Sequence, residues 1–156
     1  MKWARYTLPA AAIAATVSPA YAVKYLSIEE AQKAAFPSAT HFTEVQAGRV
    51  WKAEARGRVA GFFVFDRVVG KHLFIDYAVA LTPAGAVHRV EILEYRESYG
   101  GEVRNPSWLA QFVGKTSGSA LKINGDIRNI AGATLSSTHV TEGVKRVLAT
   151  YGNRLR

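Results

Sequence analysis

An α+β fold, a curved and largely antiparallel sheet with flanking helices, is predicted by three features of this 156-residue chain. Four β-branched or aromatic segments follow one another between residues 49 and 95 with short connections, the pattern of an antiparallel meander. A helical pattern precedes them, and a longer one closes the chain with its apolar residues on one stripe. No internal repeat, low-complexity tract or interdomain linker interrupts this order, and the length suits one domain.

Each element has a local cause. Ser27-Ile28-Glu29-Glu30 has the spacing of a capping box, so residues 28–35 are expected to form a short helix that stops before Pro37. Strands are expected over 49–56, 61–69, 73–81 and 87–95, with Thr82-Pro83-Ala84-Gly85 as the turn before the last. Residues 97–105 form a polar loop around Gly100-Gly101. Pro106 suits the first turn of a helix over 107–113. A loop at 114–118, an extended piece at 121–123 and a loop at 126–137 lead into a final helix at 138–151. There Val140, Val144, Val147, Leu148 and Tyr151 share one face, as core-packing side chains do.

The first 22 residues stand apart. Lys2 and Arg5 precede a mainly apolar, alanine-rich run, and Pro19 precedes Ala20-Tyr21-Ala22, an A-x-A site. This order is that of a secretory signal peptide cut after Ala22. The apolar run is shorter than the roughly 20 residues of a spanning helix. The domain is then 23–156, exported to the periplasm or another extracytoplasmic space. Cleavage takes the formal charge from +8 to +6. The basic residues are scattered, and export argues against nucleic acid as their partner; they suit a solvated surface that meets an acidic protein or anionic lipid.

Hydrophobic residues make up 49% of the chain and charged residues 21%, so a packed core is expected. There is no cysteine, which excludes disulfides, Cys-ligated iron–sulfur clusters and C-x-x-C-H haem attachment. Electron transfer by this chain therefore calls for an organic cofactor. His41, His72, His88 and His139 lack metal-ligand spacing, and no metal site is expected. Gly114-Lys115-Thr116 lacks the first glycine of a P-loop, since position 109 is Leu109. Ser136, His139 and Asp126 make a triad only on paper, with no G-x-S-x-G elbow.

The informative stretch is Ile130-Ala131-Gly132-Ala133-Thr134-Leu135-Ser136-Ser137. Gly132 and Ala133 carry little bulk, so a planar group can approach the backbone. Thr134 offers a hydroxyl, and Ser136 and Ser137 lie just before or at a helix N-terminus, where unpaired N–H groups and the dipole suit a phosphate. The plain alternative is a loop with Ser137 as N-cap.

This segment resembles the S-G-A-T attachment motif of the covalent FMN-binding domain family. That family includes the C subunit of the sodium-translocating NADH:quinone reductase, the G subunit of the Rnf electron-transport complex and small exported proteins. Residues 92–100, Pro106 to Gly114 and Val140 to Leu148 resemble further segments, so the likeness spans about residues 59–151. It implies a single FMN-binding domain with FMN esterified through its phosphate to Thr134 by a dedicated flavin transferase. It also implies cofactor contacts from Gly132, Ala133, Ser136 and Ser137, with Glu97, Tyr99 and Trp108 as candidates for lining the flavin. No catalytic residue is expected; the protein is an electron carrier that meets membrane or exported redox partners. The alternatives are a non-redox binding or scaffold module of the same fold, and a flavin-dependent reductase acting on a small substrate. The sequence departs from the family at Ala131, where Ser is usual, and at Ser98-Tyr99, where Thr-Pro is usual. Asp126 is the nearby acidic residue upstream of Thr134 that a transferase would read.

Overall fold

A computed structural model describes residues 22–155; the expected export signal lies outside them, apart from Ala22. Six strands form one sheet: β1 (Val23–Lys24), β2 (His41–Gln46), β3 (Val50–Ala55), β4 (Arg58–Val69), β5 (Phe74–Leu81) and β6 (Val87–Tyr95). Their order is β1-β6-β5-β4-β3-β2, with every pair antiparallel. Strands β2 to β6 are the expected meander, and β1 adds to its far edge. The sheet curls into a half-barrel, and register shifts interrupt β3–β4 and β5–β6, where an extra residue sharpens the twist.

Alternation along β4 and β5 sorts side chains onto two faces. Phe62, Val64, Val68, Ile75, Tyr77, Val79 and Leu81 enter the larger core beneath the long C-terminal helix. Phe63, Ala78 and Ala80 face the other way, toward the first helix, α1 (Ile28–Ala35). The small residues Ala31, Ala35, Ala53, Ala78 and Ala80 fill that second cluster. The capping box forms as expected: the Ser27 side chain accepts from the Glu30 N–H, and the Glu30 carboxylate accepts from the Ser27 N–H.

Three boundaries differ from expectation. Strands β1 and β2 carry no sequence signal because neither has a buried residue, so the alternation that marks a half-buried strand is absent. The helix expected at 107–113 is a single turn, α2 (Pro106–Leu109), followed by a 3₁₀ turn at Ala110–Phe112. The last helix, α3 (Thr134–Tyr151), begins four residues earlier than expected. Its serines do not cap; they turn inward and find partners there, as described below.

Helix α3 buries Val140, Val144, Val147 and Leu148 against the sheet, each contributing roughly 1.5–3 kcal/mol. Gly143 permits the close approach: a Cβ there would lie 2.4 Å from the Tyr77 hydroxyl and 2.8 Å from Val68. Tyr77 in turn donates to buried Asp66 at 2.6 Å, and Asp66 also pairs with Arg146 of α3 and with Arg49. One carboxylate thus ties β4, β5, the start of β3 and α3 together.

Candidate functional site

Three loops converge on the first turn of α3, and each is held by a specific contact. The segment after β4 is fastened by His139, whose Nδ1 donates to the carbonyls of Val69 and Gly70 at 2.7 and 2.8 Å. Because both partners are acceptors, Nδ1 carries the proton. The segment after β6 is fastened by Tyr95, whose hydroxyl donates to the Tyr99 carbonyl and lies 2.8 Å from Ser136 Oγ. The segment before α3 is fastened by Trp108, whose indole N–H donates to the Arg128 carbonyl at 2.7 Å.

Thr134 is the first residue of α3 and is exposed. The N-cap is Ala133, which has no side-chain oxygen, and no side chain caps this end. The N–H groups of the first turn therefore keep their capacity for an external acceptor. No acidic residue lies in that turn, so an anion there meets the helix dipole without a like charge. Such an arrangement favours an anion by about 0.3–1 kcal/mol.

Ser136 and Ser137, expected as cofactor contacts at the helix start, turn their hydroxyls inward. Ser136 is 5% exposed and engages Tyr95, and Ser137 is fully buried. The Ser137 hydroxyl lies 2.9 Å from the Ala133 carbonyl and 3.1 Å from that of Thr134, the back-bonding of a serine inside a helix. These contacts satisfy both hydroxyls without a cap and account for the early start of α3.

Ala131 and Gly132 are exposed, and no atom lies within 4 Å of where a Cβ on Gly132 would stand. Ala133 is buried. Beside them runs a groove of about 460 Å³ lined by Trp108, Gln111, Arg128, Asn129, Ile130 and Ala131, among others. That volume is within the ~300–1,000 Å³ usual for small-molecule sites. Trp108 is 5% exposed and packs edge-on against Phe112 at 5.2 Å, so it supports the groove from the core. A roomier groove of about 820 Å³ lies along β6, lined by Tyr25, His88, Arg104 and Leu109 among others. The smaller one lies beside Thr134, because its lining residue Asn129 bonds to the Thr134 side chain.

Glu97 is clamped by its own protein: its carboxylate accepts from the N–H groups of His72 and Leu73. Partial burial works against its charge, but the backbone N–H groups of Leu73, His72 and Lys71 outweigh that and hold the carboxyl below its ordinary range. Tyr99 is 85% exposed and Leu135 50% exposed, so an aromatic and an aliphatic side chain stand free near the turn. Gly100 sits at φ +90, and a Cβ there would lie 2.5 Å from the Tyr95 hydroxyl and 2.6 Å from Ser136 Oγ.

Asp126 does not touch Thr134. Its carboxylate accepts from the N–H groups of Lys122 and Leu121 at 2.8 and 3.0 Å and pairs with Lys115 at 3.1 Å. The Lys122 N–H is the largest influence holding its pKa well below the ordinary carboxylate range. The side chain that does reach Thr134 is Asn129, which also reaches Ser137. Sequence reasoning missed it; the available signal was an amide five residues ahead of the threonine, one polar side chain among several in that loop. Among the described residues, no group of three or more His, Asp or Glu can hold a metal, and no helix is long and apolar enough to cross a membrane.

Comparison with known proteins bears on the family and the fold. Residues 70–149 match a family described as the FMN-binding domain. The crystal structure of Shewanella oneidensis NqrC superposes with a TM-score of 0.55 at 15% identity, covering 86% of this chain and 82% of that one. No curated protein matches significantly.

Proposed function

The chain belongs to the FMN-binding domain family, and from that premise we propose that it is an exported electron carrier whose FMN is joined by a phosphoester to Thr134. The observation that carries this reading is the exposed Thr134 hydroxyl at the uncapped end of an 18-residue helix, beside a groove of cofactor size.

The residues present fit the cofactor. The first-turn N–H groups of α3 would hold the phosphate, and exposed Ala131 and Gly132 leave room for close approach. Arg128 and Glu102 both line the groove, one charge of each sign. Trp108 fixes the groove wall through the Arg128 carbonyl, Glu97 fixes the neighbouring loop, and exposed Tyr99 offers a ring face for stacking. Bound FMN supplies one- or two-electron transfer, while the protein supplies binding, orientation and electrostatics. Thr134 is an attachment point and takes no part in turnover.

Attachment requires an activated flavin phosphate, supplied to the chain by a flavin transferase. The Thr134 oxygen forms a bond to the FMN phosphorus, and the phosphoanhydride bond to the leaving phosphate breaks. The leaving phosphate takes the electron pair, and the hydroxyl proton passes to base. Covalent linkage retains the cofactor outside the cytoplasm, where the segment 1–22 would direct the chain. Redox partners would be membrane-bound or exported proteins, with no role for nucleic acid.

The experiment is to produce the chain with its export segment in a host that has an active flavin transferase, and to denature it before electrophoresis. Fluorescence that survives denaturation, and a mass increase mapped to Thr134, are expected; Thr134→Ala should lose both. A colourless chain of unmodified mass would favour the scaffold reading. Rapid reoxidation by one small acceptor without a protein partner would favour the reductase.

A further inference from the structure

We propose that Asn129 is the positioning residue for the Thr134 hydroxyl during covalent flavin attachment, an inference that rests on Thr134 being the acceptor. The argument comes from proton counting. As placed, Asn129 Nδ2 donates to Thr134 Oγ1 at 3.1 Å, and Asn129 Oδ1 accepts from Ser137 Oγ at 3.0 Å. The Ser137 oxygen also lies 2.9 Å from the Ala133 carbonyl and 3.1 Å from the Thr134 carbonyl. A serine hydroxyl has one proton. With the amide oxygen toward Ser137, three acceptors compete for that proton.

The opposite orientation of the amide, equal in shape, removes the conflict. Asn129 Nδ2 then donates to Ser137 Oγ, and Ser137 donates to the Ala133 carbonyl. Asn129 Oδ1 is left facing Thr134 and accepts its hydroxyl proton. Each hydroxyl proton then has one acceptor, and the buried Ser137 oxygen takes one of the two amide N–H groups.

This orientation has a chemical consequence. The Thr134 proton is turned toward Asn129, so the oxygen lone pairs are turned away from the loop, where an activated phosphorus arrives. A carboxamide oxygen is too weak a base to remove that proton at neutral pH, so Asn129 orients the hydroxyl and the transferase supplies the base. The step remains the one balanced above: the Thr134 Oγ–P bond forms, the anhydride P–O bond breaks, and the proton leaves through the transferase.

The test is a reconstituted transfer using the chain, purified flavin transferase and flavin adenine dinucleotide as the phosphoanhydride, followed by intact mass. Asn129→Ala should lower the saturating transfer rate about tenfold or more, the scale expected when a reacting group loses its orientation. The chain concentration at half-saturation should change little. Asn129→Asp keeps an acceptor for the Thr134 proton but cannot donate to Ser137; in high salt, which screens its new charge from the incoming phosphate, it should transfer at close to the wild-type rate measured in the same salt. If it is then as slow as Asn129→Ala, Asn129 only holds the helix start and the proposal is overturned. Wild-type rates in Asn129→Ala overturn it too, as does a change confined to half-saturation, which marks a transferase contact. In all three cases Thr134 attachment stands. A wild-type chain that stays bare overturns the attachment reading itself, and Asn129's part with it.

Discussion

The Tyr95 hydroxyl at the end of β6 lies 2.8 Å from Ser136 Oγ in the first turn of α3. The two residues are 41 positions apart, and their contact joins the strand that ends at the polar loop to the helix that starts at Thr134. Burial pushes the Tyr95 phenol up from its ordinary pKa, so it remains a neutral donor through the physiological range. It donates to the Tyr99 carbonyl, which leaves Ser136 to donate back to Tyr95.

Removal of that hydroxyl is therefore costly. Tyr95→Phe should strand the buried Ser136 hydroxyl and lower stability by about 1–3 kcal/mol. Urea denaturation checks the value, and an unchanged midpoint would show that Ser136 finds another partner.

Gly100 fills the space between these two groups. Gly100→Ala adds a methyl at φ +90 and within 2.6 Å of both hydroxyl oxygens, so strain and a clash add together. A loss of about 1–3 kcal/mol is expected, with faster amide exchange confined to residues near Tyr99 and Ser136. Uniformly faster exchange across the sheet would contradict this placement.

Midway along α3, Gly143→Ala should cost about 1–3 kcal/mol by overpacking, because Tyr77 cannot retreat without loosening its 2.6 Å bond to Asp66. The double variant Gly143→Ala with Tyr77→Phe should recover part of the loss. Strict additivity in a thermal-melt cycle would refute the coupling.

Asp66 sets an acid limit. Burial opposes its charge, but the Tyr77 hydroxyl and the Arg146 guanidinium outweigh burial and depress its pKa. An unfolded aspartate titrates near ~3.9. With the folded value lower, the contribution is fully present above about pH 4 and is lost as the pH falls through the folded pKa. Asp66→Asn should be less stable at pH 7 by about 3 kcal/mol and should lose less on acidification than wild type. Parallel acid profiles for the two proteins would show that other carboxylates set the limit.

The parts of this molecule that were legible in sequence are those where local pattern and burial agree. The four central strands have buried alternation, α1 has its capping box, and α3 has the stripe from Val140 to Tyr151. Illegible parts lack that agreement. β2 pairs at an edge and only Phe42 of its six residues is even partly buried, so the segment resembles a loop. The start of α3 was hidden because an alanine occupies the N-cap while Ser136 and Ser137, which look like caps, spend their hydroxyls on Tyr95 and Ala133. For the site, Thr134 and its small neighbours stood out through their motif. Asn129 did not, because its importance lies in a through-space contact with Thr134 that spacing alone does not reveal.

The alanine at the head of α3 has one more consequence. A long helix left bare at its electropositive tip is an unfinished element, and the ester phosphate would finish it from outside the sequence. Maturation would then be a folding event as well as a chemical one. Flavin-bearing chains should melt above bare ones by a margin that shrinks with added salt, so a thermal scan alone would sort finished molecules from unfinished ones.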